Sequence, residues 1–377
     1  MVKERRQLVN KRHGLLCGAE YVAFGVCVVF LVALAAGAES ERDLMKVRPV
    51  DSVKEFDDVR WKDMSKLDLS KRAGLPETLT FNRATVWPPA DRLPPGCDPK
   101  AILENAKNPG LGVKDLHKQG ITGKGVSVAI IDQPVLPDHP EFVGKFAATY
   151  VDSDERRTSS AHGPAVSSLL VGTGCGTAPE ARLYFAATAG RPDASYYARG
   201  LDWVVEQNGR LPASEKIRVV SISSAPRDKT NSGTWTEAVA RAEKAGILVL
   251  DCEGFIGPCS FGAADREDVS KCMPGFLGED RLRAPSPQTV LVPISPRTVA
   301  EEYFRGDCSY MYTGRGGLSW GIPYAAGVLA MGWQVSPDLS ADQMKELLFK
   351  SAYVTKDGWK VINPKELIRL VREAKPS

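Results

Sequence analysis

The chain has 377 residues, 43% hydrophobic and 25% charged, which is the balance of an ordinary globular protein with material for one large domain or two smaller ones. Its formal net charge of +3 is concentrated in residues 1–38, where Lys3, Arg5, Arg6, Lys11 and Arg12 outnumber Glu4 and Glu20, so the remainder is about neutral. A neutral body without a basic stripe lacks the electrostatic footprint of a nucleic-acid binder, and no nucleic-acid partner is expected.

In chain order, the basic start leads into YVAFGVCVVFLVALAAGA, Tyr21 to Ala38. Small residues Ala36, Gly37 and Ala38 before Glu39 resemble a signal-peptidase site, and an uncleaved anchor would need roughly 20 apolar residues, close to what is present. Residues 1–38 therefore read as a signal peptide or an N-terminal membrane anchor, with residues 15–38 the route to any membrane association. The expected location is secreted, periplasmic or cell-surface. Residues 39–107 are rich in charge and proline, WPPADRLPP being the clearest irregular piece, and read as an N-terminal extension or a short pro-segment.

From residue 108 to 377 the text changes. Val126–Ile131, Ala181–Ala187, Ile217–Ile222 and Ile247–Leu250 are short apolar, mostly β-branched runs suited to strands covered on both faces. Helical patterns separate them at Gly163–Val171, Tyr197–Gln207 and Thr236–Lys244. This alternation predicts an α/β fold with a mostly parallel central sheet flanked by helices. Near the end, Ser340 with Gln343 forms a capping box, and Asn363-Pro364 supplies the cap and first-turn proline of a last helix.

Cys17 and Cys27 lie in the leader, leaving Cys97, Cys175, Cys252, Cys259, Cys272 and Cys308. An even count in an exported chain predicts that most of the six are paired as disulfides. No Cys-x-x-Cys pair occurs and only four histidines are present, so no zinc site is expected. The run GTGCG, Gly172 to Gly176, imitates a dinucleotide fingerprint but follows a helix rather than a strand. No acidic loop of calcium-ligand spacing is found, and neither metal nor cofactor is expected.

Parallel sheets bind ligands beyond the carboxyl ends of their strands, which singles out Asp132, directly after VSVAII. A turn-forming aspartate would occupy the same place. A carboxylate serving catalysis commonly orients a histidine. His13 lies in the leader, His117 in the charged patch KDLHKQG, and His139 in the proline-bracketed turn PDHPEF, leaving His162 at the head of a helical run. Ser319 stands in GGLSWGIPYAAG, where glycines precede an apolar helix; a serine at a helix start is most often an N-cap. With a base to take its proton and a third group to orient that base, it becomes a nucleophile. Asp132, His162 and Ser319 supply those three roles in the order aspartate, histidine, serine.

Three segments resemble the motifs of the subtilisin-like serine proteases, the subtilases. VAIID ending at Asp132, with His139-Pro140 beyond, is similar to the aspartate motif. His162-Gly163-Pro164-Ala165-Val166-Ser167-Ser168, followed by GTAPEARLYFAA, is similar to the histidine motif, and Gly317–Gly327 aligns without a gap on the serine motif. The resemblance spans roughly Gly110 to Leu367. It implies a subtilisin-like fold, polypeptide substrates, a catalytic triad of Asp132, His162 and Ser319, and substrate binding along Ser223, Ser224 and Ala225 as an added strand.

The sequence also departs from the family pattern. Leu318, Ala165 and Tyr324 replace motif residues outside the triad, and Ser224, Ala225 and Pro226 replace the usual Leu-Gly-Gly. Counting from Gly246 puts Phe255 where the family has an oxyanion-hole asparagine, with Asp251 and Glu253 nearby; a phenyl ring has no donor. The leading expectation is an exported serine endopeptidase. The alternative is a subtilase-like binding or scaffold protein that keeps the fold without efficient turnover.

Overall fold

A computed structural model describes residues 45–189, 192–261, 265–277 and 284–374. The leader, with its expected cleavage site and anchor, lies outside the described residues. Among those described, no helix is long and apolar enough to cross a membrane. The described residues from Val47 onward form one compact unit.

The centre of that unit is a five-stranded, wholly parallel sheet. Its strands are β1 (Ser127–Asp132), β2 (Phe146–Val151), β3 (Arg182–Ala187), β4 (Ile217–Ser221) and β5 (Leu248–Leu250), in the spatial order β2-β3-β1-β4-β5. The expectation of a parallel α/β sheet therefore holds. In β1 every residue is buried, because alternate side chains enter two different cores. Val128 and Ile130 join the larger core with Val166, Leu170, Ile322 and Ala325. Ala129 and Ile131 join the opposite one with Tyr197, Leu201, Trp235 and Ala238. The helices that supply these faces are α1 (His162–Val171), α2 (Ala194–Arg210), α3 (Ser232–Lys244) and α4 (Leu318–Val335). The edge strand β2 instead alternates half-buried and exposed residues, a weaker apolar signal than that of its neighbours.

Ser340 and Gln343 form the expected capping box on the helix Ala341–Ser351, and Asn363 caps Pro364–Glu373 by accepting from the Glu366 N–H. The strand Thr80–Asn82 pairs antiparallel with Ser309–Thr313, which pairs in turn with Arg297–Glu301. Around it, Val59, Met64, Leu79 and Phe81 close a separate small core with Tyr312. The buried Glu301 carboxylate accepts from Arg60 at 3.0 Å and from Asn82 at 2.8 Å, tying residues 47–107 to the segment leading toward Ser319.

The disulfide expectation is corrected: Cys97, Cys175, Cys252, Cys259, Cys272 and Cys308 are all free thiols. Four of them sit in separate neighbourhoods. Cys175 lies beside Glu141, Cys308 beside the Asp138 carbonyl, Cys252 past the end of β5, and Cys97 near Glu77 and Asp98. Cys259 and Cys272 adjoin in the larger core, where burial and each other's proximity push the Cys259 thiol well up. Denatured protein without reductant is expected to titrate at least six free thiols; fewer than five would show pairing.

Glu302 is buried, and neither of its carboxylate oxygens has a hydrogen-bond partner of ordinary geometry; Asp138 Oδ1 is in the same state. Burial first, then the charges of Asp138 and Asp307, push Glu302 up to about 7. A carboxyl raised above its unfolded value stabilises the fold fully below pH 4.5 and loses that contribution as pH rises through about 7. Glu302→Gln is therefore expected to raise the Tm at pH 8 by about 3 °C and to flatten the decline between pH 5 and 8. An unchanged pH dependence would contradict this reading.

Candidate active site

At the carboxyl end of β1, Asp132 is buried and accepts a hydrogen bond on Oδ1 from His162 Nδ1 at 2.7 Å. The same oxygen accepts the Gln133 N–H at 2.7 Å. Local sequence makes the approach possible. Gly163 follows the histidine, and a Cβ there would collide with the carbonyl oxygens of Gln133 and Pro134. Ser160 fixes the same junction by accepting from the Gly163 N–H at 3.0 Å and donating to the Pro134 carbonyl at 2.9 Å. Helix α1 thus starts hard against the backbone that leaves β1.

Burial works against the imidazolium, but the Asp132 charge and its hydrogen bond outweigh it, holding His162 above its ordinary 6.5. Nε2 makes no hydrogen bond to any described residue. One face of the ring stacks on Trp320, with centroids 5.5 Å apart and planes 30° apart.

Ser319 is the second residue of α4. It is not the N-cap, which is Gly317 and carries no side chain to cap with. The turn before it needs Gly316, whose φ is +67°, in the left-handed region, and where a Cβ would strike the Ile294 carbonyl. Pro323 lies four residues after Ser319 and has no N–H to close the helical bond to the Ser319 carbonyl. That freed carbonyl accepts Ser223 Oγ at 2.8 Å, while Ser319 Oγ donates to the Ser223 carbonyl at 3.4 Å, a long and weak bond. Asp132 and His162 are thus brought together directly, and Ser319 is joined to Ser223 rather than hydrogen-bonded to His162.

The strand β4 lies between β1 and β5, so it is not an edge; Ser223, Ser224 and Ala225 follow its end. The Ser224 carbonyl accepts the Cys252 N–H at 2.9 Å and its hydroxyl meets Tyr197 Oη at 3.1 Å. Ala225 leads into a short turn, Pro226–Asp228. Ser223 and Ser224, with Asp132 and His162, line a cleft of about 220 Å³; Ala225 is not among its lining residues.

Phe255 lies elsewhere. Its ring packs on Phe349 with centroids 5.6 Å apart, under Lys345 Nζ, in a separate cavity of about 590 Å³. Asp251 is ion-paired to Arg227 at 2.7 Å, and the Arg227 N–H donates to Glu253 at 2.7 Å. Cys252, two residues past the end of β5, adjoins the cleft through its backbone N–H, which donates to the carbonyl of the lining residue Ser224. Burial first, then Asp251, Asp132 and Glu253, push its thiol up to about 12, so it remains a neutral S–H. His139 is structural, with Nε2 against the Ser309 carbonyl and Nδ1 accepting from Glu141, and His117 bonds the Thr177 carbonyl.

An open parallel sheet with an Asp–His pair at the carboxyl end of its central strand and a serine-bearing helix beside it defines a class of α/β scaffold that gathers the groups of a nucleophilic site at one end of its sheet. The Subtilase family model matches residues 123–257. The chain is 26% identical over 311 residues to Serine protease AprX of Bacillus subtilis, covering 70% of this chain and 69% of the relative. It is 24% identical over 278 residues to Subtilisin-like protease PopC of Myxococcus xanthus, covering 64% and 58%. It is 27% identical over 247 residues to M-protease of Shouchella clausii, covering 63% and 61%. The chain thus spans only about three-fifths of the last two. A solved chain described under the assembly of subtilase cytotoxin SubAB shares the fold at a TM-score of 0.56 and 15% identity, covering 70% of this chain and 95% of that one. The A-subunit of the AB5 toxin from E. coli does so at a TM-score of 0.53 and 14% identity, covering 70% and 98%. Over residues 123–257 the chain is thus similar to the subtilase family, and its fold is subtilisin-like.

Because His162 is held up by Asp132, any reaction that needs its neutral form rises with pH through a midpoint above 6.5. The pair's contribution to stability runs the other way, complete below the unfolded pKa and lost as pH rises through the folded one. Asp132→Asn is expected to move the His162 titration, read by NMR, downward. A midpoint unchanged by that substitution would contradict the assignment of cause.

Proposed function

We propose that this chain is a serine endopeptidase in which Ser319 attacks a peptide carbonyl, His162 takes and returns the proton, and Asp132 orients the imidazole. The observation that carries the reading is the 2.7 Å bond between His162 Nδ1 and the buried Asp132. That bond keeps the proton on Nδ1 and leaves Nε2 as the base. The Ser319 hydroxyl is held only by the 3.4 Å bond to Ser223, so a rotation about its Cα–Cβ bond is a small cost to turn it toward His162. Ser319 lies in the first turn of an 18-residue helix, where free N–H groups and the dipole favour a developing oxyanion. The peptide carbonyl carbon would be transferred to Oγ, the leaving amine protonated by His162, and the acyl-enzyme cleared by water. Polypeptides are the substrate class, and export through residues 1–38 is part of the same proposal.

One observation favours the alternative of a binding or scaffold protein. The Ser319 hydroxyl is engaged by Ser223, and no asparagine follows β5 to serve as an oxyanion donor. Losing one such donor costs about 100-fold to 1000-fold in rate, so it slows an enzyme without abolishing it.

A fluorophosphonate probe separates the two. It is expected to label the folded protein at Ser319 alone, with labelling absent in Ser319→Ala and reduced at least about 100-fold in His162→Ala. Peptide mapping of the adduct locates the site. Wild-type protein that melts cooperatively yet stays unlabelled would defeat the protease reading and leave the binding module.

A further inference from the structure

The cleft beside His162 holds a lysine whose ammonium is in no ion pair with any described residue. Beyond the Asp132–His162 pair it is lined by Thr188, Tyr197, Ser224 and Lys229, among others. Asp132, the carboxylate that lines it, is committed to His162 and to the Gln133 N–H. Nearby Asp193 is likewise occupied, capping α2 through the Ser195 N–H at 2.8 Å and accepting from Asn231 at 3.0 Å. Arg157, on the same side of the molecule, is held by Glu155 through two contacts of 2.7 and 3.0 Å. Lys229 differs from all of these: its ammonium makes no ion pair or hydrogen bond with any described residue, and its described contact is with the face of Tyr197, 5.7 Å from the ring centroid.

A second donor shares the cleft without a partner. Thr188 is 1% exposed, and its hydroxyl, although buried, has no hydrogen-bond partner among the described residues. Its backbone N–H is fixed by the Asp132 carbonyl at 2.8 Å, so the hydroxyl stands at a defined place next to the β1 end. Buried polar groups are seldom left unsatisfied, and a hydroxyl and an ammonium that line one small polar cleft, each without a hydrogen-bond partner among the described residues, call for an acceptor that carries negative charge.

We propose that this cleft receives an acidic side chain, aspartate or glutamate, of the bound polypeptide, with its carboxylate met by Lys229 and the Thr188 hydroxyl. The inference rests on the reading of the site as one that takes polypeptide, and it names the substrate class within it. Ser223, Ser224 and Lys229 lie within seven consecutive residues, so the strand-end segment expected to run beside the substrate also delivers the cation. Carboxylate recognition by a half-buried ammonium is an electrostatic preference that weakens with added salt.

The test uses the full chain carrying Ser319→Ala, which binds without turnover, and fluorescent peptides identical except for Glu, Gln or Lys at each of the four positions before the scissile bond. Anisotropy is expected to show the Glu peptide bound about tenfold more tightly than the Gln peptide at one position. That ratio is expected to shrink in 0.5 M salt, fall to about one when Lys229→Ala is added, and turn in favour of the Lys peptide with Lys229→Glu. Lys229→Gln with an unchanged melt serves as the control for folding. Equal binding of Glu and Gln peptides at all four positions, or a Glu preference that survives Lys229→Ala, would overturn the proposal. Fluorophosphonate labelling of Ser319 in the wild-type chain is run alongside. Labelling without a Glu preference leaves the protease reading standing and removes this one, whereas a Lys229-dependent Glu preference without labelling supports the pocket on a non-catalytic binding protein.

Discussion

The hydrogen bond between Asp132 and His162 is the constraint around which the rest of the site is built. A carboxylate at the end of a fully buried strand is costly unless it is paired, and here it is paired by an imidazole and by the next backbone N–H. Bringing the imidazole to it demands that α1 begin against the chain leaving β1. The absence of a side chain at Gly163 permits that approach, and the two Ser160 bonds hold it. Trp320 then backs the ring from α4, so the histidine is fixed by one strand, one helix start and the first turn of another helix.

The serine side depends on a different device. Pro323 removes a helical N–H and thereby releases the Ser319 carbonyl, which Ser223 takes up. This joins the start of α4 to the segment that follows β4, so the residue expected to attack and the segment expected to hold substrate are coupled through one pair of serines. The exchange is asymmetric: the 2.8 Å bond fixes the backbone, while the 3.4 Å bond leaves the Ser319 hydroxyl loosely held. Positioning and mobility are thus divided between the two atoms of one residue that matter most.

Much of the fold was legible because its signals are local. Val126–Ile131 and Ala181–Ala187 are buried on both faces and therefore read as unbroken apolar runs, and they differ by only a residue from the observed strands. The caps at Ser340 and Asn363 are equally local. The edge strand Phe146–Val151 escaped notice because half of it faces solvent. The packing of Phe81 and Met64 was illegible for another reason: their core closes only with Tyr312, more than 200 residues away. Asp132 and His162 could be singled out from strand-end placement and the scarcity of histidine. That Cys252 borders Ser224 is not legible locally, since only the pairing of β4 with β5 brings the two together. The pairing of cysteines failed because an even count says nothing about where the chain carries each thiol.

The account stands on the tautomer of one imidazole, since a proton on Nδ1 directed at Asp132 is what leaves Nε2 able to act as a base. The direct measurement is the ¹⁵N NMR spectrum of ring-labelled His162 at a pH above its titration midpoint. The account predicts a protonated, pyrrole-like Nδ1 and an unprotonated, pyridine-like Nε2; the reverse pattern, with the proton on Nε2, would contradict it.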